Sequence, residues 1–157
     1  MICGFKSHLR YETIEQRFNI INVRILGCEI CSYKEIVFGD LVAKQFVLFE
    51  HKRLFGILVF HFKGDEQDRF HTHAFNALSI KLFGNYDEGI LDPDTKEIRY
   101  EKRTKVLKYF PRDSYHSINK STGCCTVLFQ GPWRKTWKEY KDNKETVLTW
   151  HRKEIEL

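Results

Sequence analysis

Two histidines separated by a single residue, His71 and His73, constrain the fold of this chain more than any other feature. On an extended segment, side chains alternate between the two faces of the strand, so both imidazoles point to the same side. Imidazole is the commonest metal ligand among protein side chains, and a rigid strand holds two of them in one geometry. A third histidine, His116, follows a second aromatic segment that contains Pro111. Together the three histidines predict a metal site on a β scaffold.

The first of these segments resembles the first sequence motif of the cupin superfamily, which has the form H-x-H-x3-E-x6-G. His71, His73 and Gly84 occupy its histidine and glycine positions. Ala77 stands at the glutamate position, so the fourth ligand of the usual cupin site is missing.

The second segment resembles the second cupin motif, P-x-G-x2-H. Pro111, Asp113 and His116 keep its spacing, with aspartate in the glycine position. The chain is also similar to a group of small cupins often found in bacteriophage and bacterial genomes, through residues 60–86 and 125–137. This resemblance covers about residues 45–152. It implies a fold and a metal site, and it implies no particular substrate.

The resemblance implies an all-β cupin double-stranded β-helix, that is, a jelly-roll barrel with short N- and C-terminal additions. Roughly eight short apolar segments with regular turn signals between them favour the same architecture. At 157 residues the chain is expected to form one domain. We place the barrel core at about residues 42–131, an N-terminal extension at 1–41 and a C-terminal closing segment at 132–157. Within that closing segment we predict a short helix over 134–140.

Three neutral histidines bind a divalent transition metal without cancelling its charge and leave coordination positions open, as in catalytic sites. Among cupins, three histidines without the glutamate are similar to the site of thiol dioxygenases, which use Fe(II). We therefore expect Fe2+, with Zn2+, Ni2+ or Mn2+ as alternatives that the ligand set also accepts. The expected function is that of a dioxygenase-like enzyme acting on a small anionic molecule.

Five further residues are candidates for supporting roles. We predict that Asn76 holds a metal-bound imidazole in place and that Lys81 and Arg134 contact an anionic group of the substrate, with a solvated surface position as the alternative for both cations. His61 is interpreted either as a residue near the metal or as a hydrogen-bonded core histidine. Tyr86 is interpreted as a wall of the pocket, with aromatic core packing as the alternative.

Two other classes of function remain open from the sequence. Cupin sugar-nucleotide isomerases resemble this chain through Arg69-x-His71-x-His73, and some of them use histidine as a general base without a metal. A general base needs an orienting partner, and the sequence does not identify one. The third class is a non-catalytic cupin, such as a viral accessory protein, that binds a small molecule.

Charge and composition restrict the partners and the compartment. The net charge is +5, and residues 99–112 contain six basic residues against one acidic residue. This pattern suits a small anionic molecule; nucleic acid is an alternative that we do not favour. We expect a homodimer without membrane contact, located in the cytoplasm, or in the host cytoplasm if the source is viral. The five cysteines do not form a disulfide framework, and we expect them to be reduced.

Overall fold

The structure is a computed structural model, and it describes residues 23–25, 28–66, 69–149 and 154–155. In these ranges the chain forms thirteen β-strands and no helix, so no helix there is long and apolar enough to cross a membrane. The strands are β1 (Val23–Ile25), β2 (Cys28–Phe38), β3 (Leu41–Glu50), β4 (Gly56–Glu66), β5 (Phe70–His71), β6 (Ala77–Phe83), β7 (Asp87–Leu91), β8 (Ile98–Lys102), β9 (Leu107–Phe110), β10 (Tyr115–Gln130), β11 (Thr136–Lys141), β12 (Lys144–Thr149) and β13 (Glu154–Ile155).

The long strand β10 belongs to two antiparallel sheets. The C-terminal part of β10 pairs with β4 on one side and with β6 on the other, which gives sheet 1 the order β1-β2-β3-β4-β10-β6-β9. The N-terminal part of β10 pairs with β7 and β5, which gives sheet 2 the order β8-β7-β10-β5-β11-β12-β13. A strand shared in this way closes the two sheets over a common interior, as in a double-sheet jelly roll.

Side chains from both sheets meet in that interior. One cluster contains Leu41 and Cys124 of sheet 1 with Ile118 of sheet 2, and all three are at most 6% exposed. A second cluster packs Phe110 of β9 among apolar residues of both sheets, including Trp137 of β11. The all-β fold predicted from the sequence is therefore confirmed.

A glycine is required at the position that matches the first motif. Gly84 has a φ of 75°, in the region that favours glycine, and a Cβ there would lie 2.3 Å from the carbonyl oxygen of Gly123. The turn after β6 therefore packs directly against the backbone of β10, which fixes where the two sheets approach each other.

The helix predicted over residues 134–140 is wrong, because most of that segment is strand β11. Its backbone is hydrogen-bonded to β5 on one side and to β12 on the other, so the unpaired edge of β5 outweighs the local helical pattern. Residues 1–22 of the predicted N-terminal extension lie outside the described residues. The predicted boundaries of the barrel core stay a prediction.

Candidate metal centre

Strand pairing brings the three histidines together. His71 of β5 lies directly opposite His116 of β10 in the antiparallel register. Two residues further on, the backbone N–H of His73 donates to the carbonyl of Arg112, in the loop that precedes β10. Thr72 is held from the other side by backbone and side-chain hydrogen bonds to Lys138 of β11. The two motif segments are thus hydrogen-bonded to each other on a rigid frame.

The donor atoms converge inside the barrel. One ring nitrogen from each of His71, His73 and His116 lies within 4.8 Å of the other two. The Nε2 atoms of His73 and His116 are 2.8 Å apart, and the three ring centroids are separated by 4.7–5.0 Å. Among the described residues this is the single cluster of three metal-binding side chains.

This donor set fits one transition-metal ion. Two imidazole nitrogens bound to one ion at about 2.0–2.1 Å lie about 2.9–3.4 Å apart at bond angles near 90–109°. The separation of 2.8 Å between the Nε2 atoms of His73 and His116 is close to that range, and the widest separation in the cluster, up to 4.8 Å, would have to shorten for all three nitrogens to bind the same ion. Soft or neutral nitrogen donors of this kind suit first-row transition metals rather than Mg2+ or Ca2+.

Burial favours the neutral forms of His71 and His73, which can donate lone pairs. Burial, together with the neighbouring His116, lowers the pKa of His73 to about 3. The pKa of His71 is also well below its ordinary value, because of burial and then the charges of His116, His73 and Arg69. A metal ion binds the unprotonated imidazole, so no proton competes at neutral pH.

Glu88 is a functional candidate that the sequence analysis missed. It is only 2% exposed on β7, and its Oε1 lies 3.1 Å from Nδ1 of His116. A carboxylate can only accept, so Nδ1 of His116 donates, and its Nε2, which faces His73, is the ring nitrogen that a metal could use. Since the two ring nitrogens point in different directions, Glu88 orients His116 and is not a fourth member of the cluster.

A cation from the opposite sheet holds this carboxylate. Lys108 of β9 donates from Nζ to Oε2 of Glu88, so the order of contacts is Lys108, Glu88, His116. Burial raises the pKa of Glu88, but the contacts with His116 and Lys108 outweigh burial, and the pKa is lowered. Glu88 is therefore ionised at neutral pH, as its orienting role requires.

A second buried cation, Arg103, lies beside the site. It is 4% exposed, and in the described part of the chain all its hydrogen-bond acceptors are neutral. They are the Tyr86 hydroxyl, the Ser79 carbonyl and hydroxyl, and the carbonyls of Lys105 and Val106. The guanidinium lies 5.5 Å from the ring centroid of Phe110, which is also 5.0 Å from the ring of His116. Arg103 and the histidine cluster thus border the same aromatic ring.

Asn76 and Lys81 form hydrogen bonds with loop residues near the site. Asn76 is exposed, and its Oδ1 accepts a hydrogen bond of 2.9 Å from the backbone N–H of Arg112. It therefore fastens the loop before β10 instead of holding an imidazole. The Nζ of Lys81 donates to Asn85 Oδ1 at 2.8 Å and to the carbonyl of Arg103 at 2.9 Å, so it anchors the Arg103 loop.

Arg134 lies at the surface. Its side chain is 50% exposed and forms an ion pair of 3.0 Å with Asp113. Arg112, a neighbouring cation, is 3.8 Å from the same carboxyl group. The buried cation that borders the same aromatic ring as His116 is Arg103 instead.

His61 and Tyr86 lie on opposite sides of sheet 1. His61 is opposite Cys125 of β10, nine residues from His116, and its ring is 6.5 Å from Phe83. It is outside the histidine cluster. Tyr86 is 2% exposed in the interior, where its hydroxyl accepts from Arg103 at 2.7 Å. Tyr86 thus fits the core-packing interpretation and also positions Arg103.

Ala77, at the glutamate position of the first motif, is buried in the apolar cluster with Ala74, Phe75 and Phe110. The ionised glutamate nearest to the histidines comes from β7 instead. Sequence spacing carries no signal for this, because Glu88 approaches His116 diagonally across the β7–β10 pair.

Comparison with known proteins finds partial structural similarity. No protein-family model matches the chain, and no curated protein matches it. Solved structures that are similar include the capsular polysaccharide assembling protein CapF from Staphylococcus aureus (13% identity, TM-score 0.49, 74% of this chain and 31% of that chain) and oxalate decarboxylase from Bacillus subtilis (14%, 0.48, 72% and 29%). A sugar phosphate isomerase of the cupin superfamily from Silicibacter pomeroyi is also similar (13%, 0.45, 70% and 73%).

The aligned part of CapF and of oxalate decarboxylase is thus less than a third of each of those proteins. The present chain itself has two antiparallel sheets that share β10 and enclose three converging histidines. These are the architecture and the cluster that the resemblance to cupins implies.

Proposed function

We propose that this chain is a metal-dependent enzyme that binds one divalent transition metal ion, with Fe2+ preferred, through His71, His73 and His116. The observation that carries this proposal is the convergence within 4.8 Å of three imidazole nitrogens, from the half-buried His71 and His73 and the buried His116. A bound ferrous ion supplies redox chemistry with molecular oxygen, which makes a dioxygenase-like reaction the function that this ligand set supports best.

The residues around the cluster have separate tasks in this proposal. Glu88 accepts the Nδ1 proton of His116 and thereby keeps the Nε2 lone pair available for the metal. Lys108 neutralises Glu88 and holds it across the barrel. Phe75 and Phe110 pack against the His73 ring at centroid distances of 5.4 and 6.2 Å and limit the access of water.

Arg103 supports a small anionic molecule as the substrate. It is a buried guanidinium with neutral acceptors, and three histidines add no negative charge of their own. The interior is therefore positive when a dipositive ion is bound, and a carboxylate or thiolate substrate balances that charge. Arg103 then attracts the end of the substrate that is not at the metal.

Oxygen consumption tests the proposal. Protein loaded anaerobically with Fe(II) is mixed with air-saturated buffer and a panel of thiols, amino acids and diketones, and O2 uptake is recorded. We expect uptake that depends on one substrate class and is lost in His116→Ala. His61→Ala is the matched control, because it removes an imidazole outside the cluster, and it should leave uptake unchanged. If no member of the panel causes uptake, or if both variants behave alike, the proposal is wrong.

The contact between Glu88 and His116 favours a second candidate function, isomerisation with histidine as general base. A general base needs an orienting group, and a buried carboxylate 3.1 Å from Nδ1 is such a group. This function needs no metal. Conversion of sugar nucleotides by chelator-treated protein, without O2 uptake by Fe(II)-loaded protein, would support it over the dioxygenase.

A further inference from the structure

The inner face of sheet 1 carries a second group of buried polar side chains. They lie in one row that is paired in register across four strands and consists of Glu29 of β2, Glu50 of β3, Gly56 of β4 and Gln130 of β10. Side chains that lie opposite each other in an antiparallel register point to the same face of the sheet. The row continues to Ala77 of β6, and three strand spacings of about 4.8 Å put Glu50 roughly 14 Å from Ala77 along the sheet. Neither glutamate belongs to the histidine cluster.

Gln130 reaches Glu50 because Gly56, on the strand between them, has no side chain. The Nε2 of Gln130 donates a hydrogen bond of 2.6 Å to Oε1 of Glu50. A Cβ at position 56 would lie 2.5 Å from this Nε2, so the side chain of Gln130 passes directly over the backbone of Gly56. Gln130 is 2% exposed and Glu50 is 5% exposed. The glycine therefore allows a contact between two buried polar side chains that are two strands apart.

This pair of side chains lacks a positive partner. The Oε1 atom of Gln130 is buried and has no hydrogen-bond partner. In the part of the chain that the structure describes, the Glu50 carboxylate accepts from the Gln130 amide alone and forms no ion pair. Glu29, opposite Glu50, is a second buried carboxylate; it accepts from Ser32 Oγ and lies 3.4 Å from Lys34 Nζ. Two carboxylates that face each other, and a buried amide oxygen without a donor, are both costly unless a cation joins them.

We propose that Glu50 and Gln130 bind a hard divalent cation, Ca2+ or Mg2+, at a site that is independent of the histidine cluster. Carboxylate and amide oxygens are the ligands that these ions prefer, whereas neutral imidazoles suit transition metals. The charge of Glu29 strengthens the attraction from the opposite strand, and water supplies the remaining ligands, as is usual for Mg2+. The bound ion joins β3 to β10 across β4 and thereby stabilises this half of sheet 1.

The distance between the two side chains is compatible with one shared ion. The nitrogen and the oxygen of the Gln130 amide are bonded to the same carbon, so its Oε1 lies within about 5 Å of Glu50 Oε1. Two oxygens that bind one Ca2+ at about 2.3–2.6 Å are likewise at most about 5 Å apart. The ion can therefore contact both side chains while their hydrogen bond is kept.

Equilibrium dialysis of the full-length protein against Ca2+ alone, and separately against Mg2+ alone, tests the proposal. We expect one ion per chain with a dissociation constant on the order of 10⁻⁴–10⁻³ M, as for sites with few charged ligands. Glu50→Gln keeps the size of the side chain and removes its charge, and it should raise the dissociation constant at least about 10-fold. Glu35→Gln is the matched control, because Glu35 is on the same strand as Glu29 but contacts the hydroxyl of Tyr33 at 3.1 Å. Equal affinities of these two variants, or no binding to the wild type at about 10 mM of either cation, would overturn the proposal.

Thermal unfolding of the wild-type protein makes the test independent of whether the variants fold. An ion that binds only the folded chain stabilises it increasingly as its concentration rises. The unfolding midpoint should therefore rise with CaCl2 or MgCl2 up to about 10 mM, and it should not rise in NaCl of equal ionic strength. The variant in which His71, His73 and His116 are all alanine should show the same rise, which separates this site from the proposed metal centre. An equal rise in NaCl would mean general screening of charge, and no rise in the triple variant would mean binding at the histidines. Both results would contradict a second cation site.

Discussion

The inner face and the outer face of sheet 1 differ in the residues that fold stability alone does not explain: the inner face borders buried charged groups, and the outer face carries exposed apolar residues. The interior that sheet 1 encloses with sheet 2 holds the histidine cluster together with Glu88 and Arg103, which are 2% and 4% exposed. The outer face carries apolar side chains that are up to 57% exposed. Buried charge and exposed apolar surface are both costly for folding alone. The interior face therefore carries the charged groups that the proposed function uses, whereas the outer face carries apolar residues instead.

The largest expected difference between the two faces is in metal affinity, when a histidine of either face is replaced by alanine. His116→Ala removes one of three donors and leaves Glu88 without its partner, so the affinity for Fe(II) or Zn(II) should fall at least about 1,000-fold. His61→Ala removes an outer imidazole and should bind metal like the wild type. A competition titration against a chromophoric chelator measures both. Equal affinities for the two variants would break the distinction between the faces.

Arg103→Met should have the next largest effect. It removes five hydrogen bonds and leaves the Tyr86 hydroxyl buried without its donor, so we expect a loss of about 2–4 kcal/mol in the free energy of unfolding. Urea denaturation measures this loss. Lys102→Met is the control, because Lys102 is exposed, and it should cost less than about 0.5 kcal/mol. A stable Arg103→Met protein with unchanged substrate affinity would remove Arg103 from the account.

Glu88→Gln should weaken metal binding without unfolding the chain. The amide keeps the size of the side chain but loses the charge that selects the Nδ1–H form of His116, and such changes lower metal affinity about 10–100-fold. Isothermal titration calorimetry of the variant and the wild type gives the ratio. Glu145→Gln is the control, because the carboxylate of Glu145 contacts Tyr115 and Lys138 instead. This variant should bind the metal with the affinity of the wild type.

The pH dependence of the metal-free protein should be the smallest of these effects. The pKa of His73 is about 3 in the folded chain and about 6.5 in the unfolded chain, so the unfolded state binds more protons between these values. The contribution of His73 to stability is therefore complete well above pH 6.5 and falls as the pH decreases below it, by about 1 kcal/mol at pH 6. His73→Gln should flatten the dependence of the urea midpoint on pH between 7 and 5. An equal slope in the variant would show that His73 is not the group responsible.

The fold and the three histidines could be predicted because the motifs that carry the resemblance to cupins are short stretches of sequence. His71 and His73 also alternate on one extended segment, so both point to the same side, and His116 was identified from the second motif. Glu88 and Arg103 were missed because only the pairing of distant strands brings them to His116 and Phe110. The segment 134–140 was misassigned for the same reason, since the free edge of β5 determines its conformation.

Sequence reasoning favoured Arg134 as the cation for an anionic substrate group and did not single out Arg103. Arg134 was favoured because it follows a motif-like segment, and the structure places it in an exposed ion pair with Asp113. No pattern along the chain distinguishes a basic residue that turns inward from one that turns outward when both lie in loops. Solvent exposure makes that distinction: Arg103 is 4% exposed as a residue, whereas the side chain of Arg134 is 50% exposed.

Metal stoichiometry tests the central claim most directly. The full-length protein is incubated anaerobically with excess Fe(II), or separately with Zn(II), desalted, and examined by elemental analysis together with a protein concentration from amino-acid analysis. We predict one ion per chain in the wild type. The variant in which His71, His73 and His116 are all alanine should hold less than about a tenth of an ion per chain, and circular dichroism should show that both proteins are folded. A wild-type value below about a tenth of an ion per chain would contradict it.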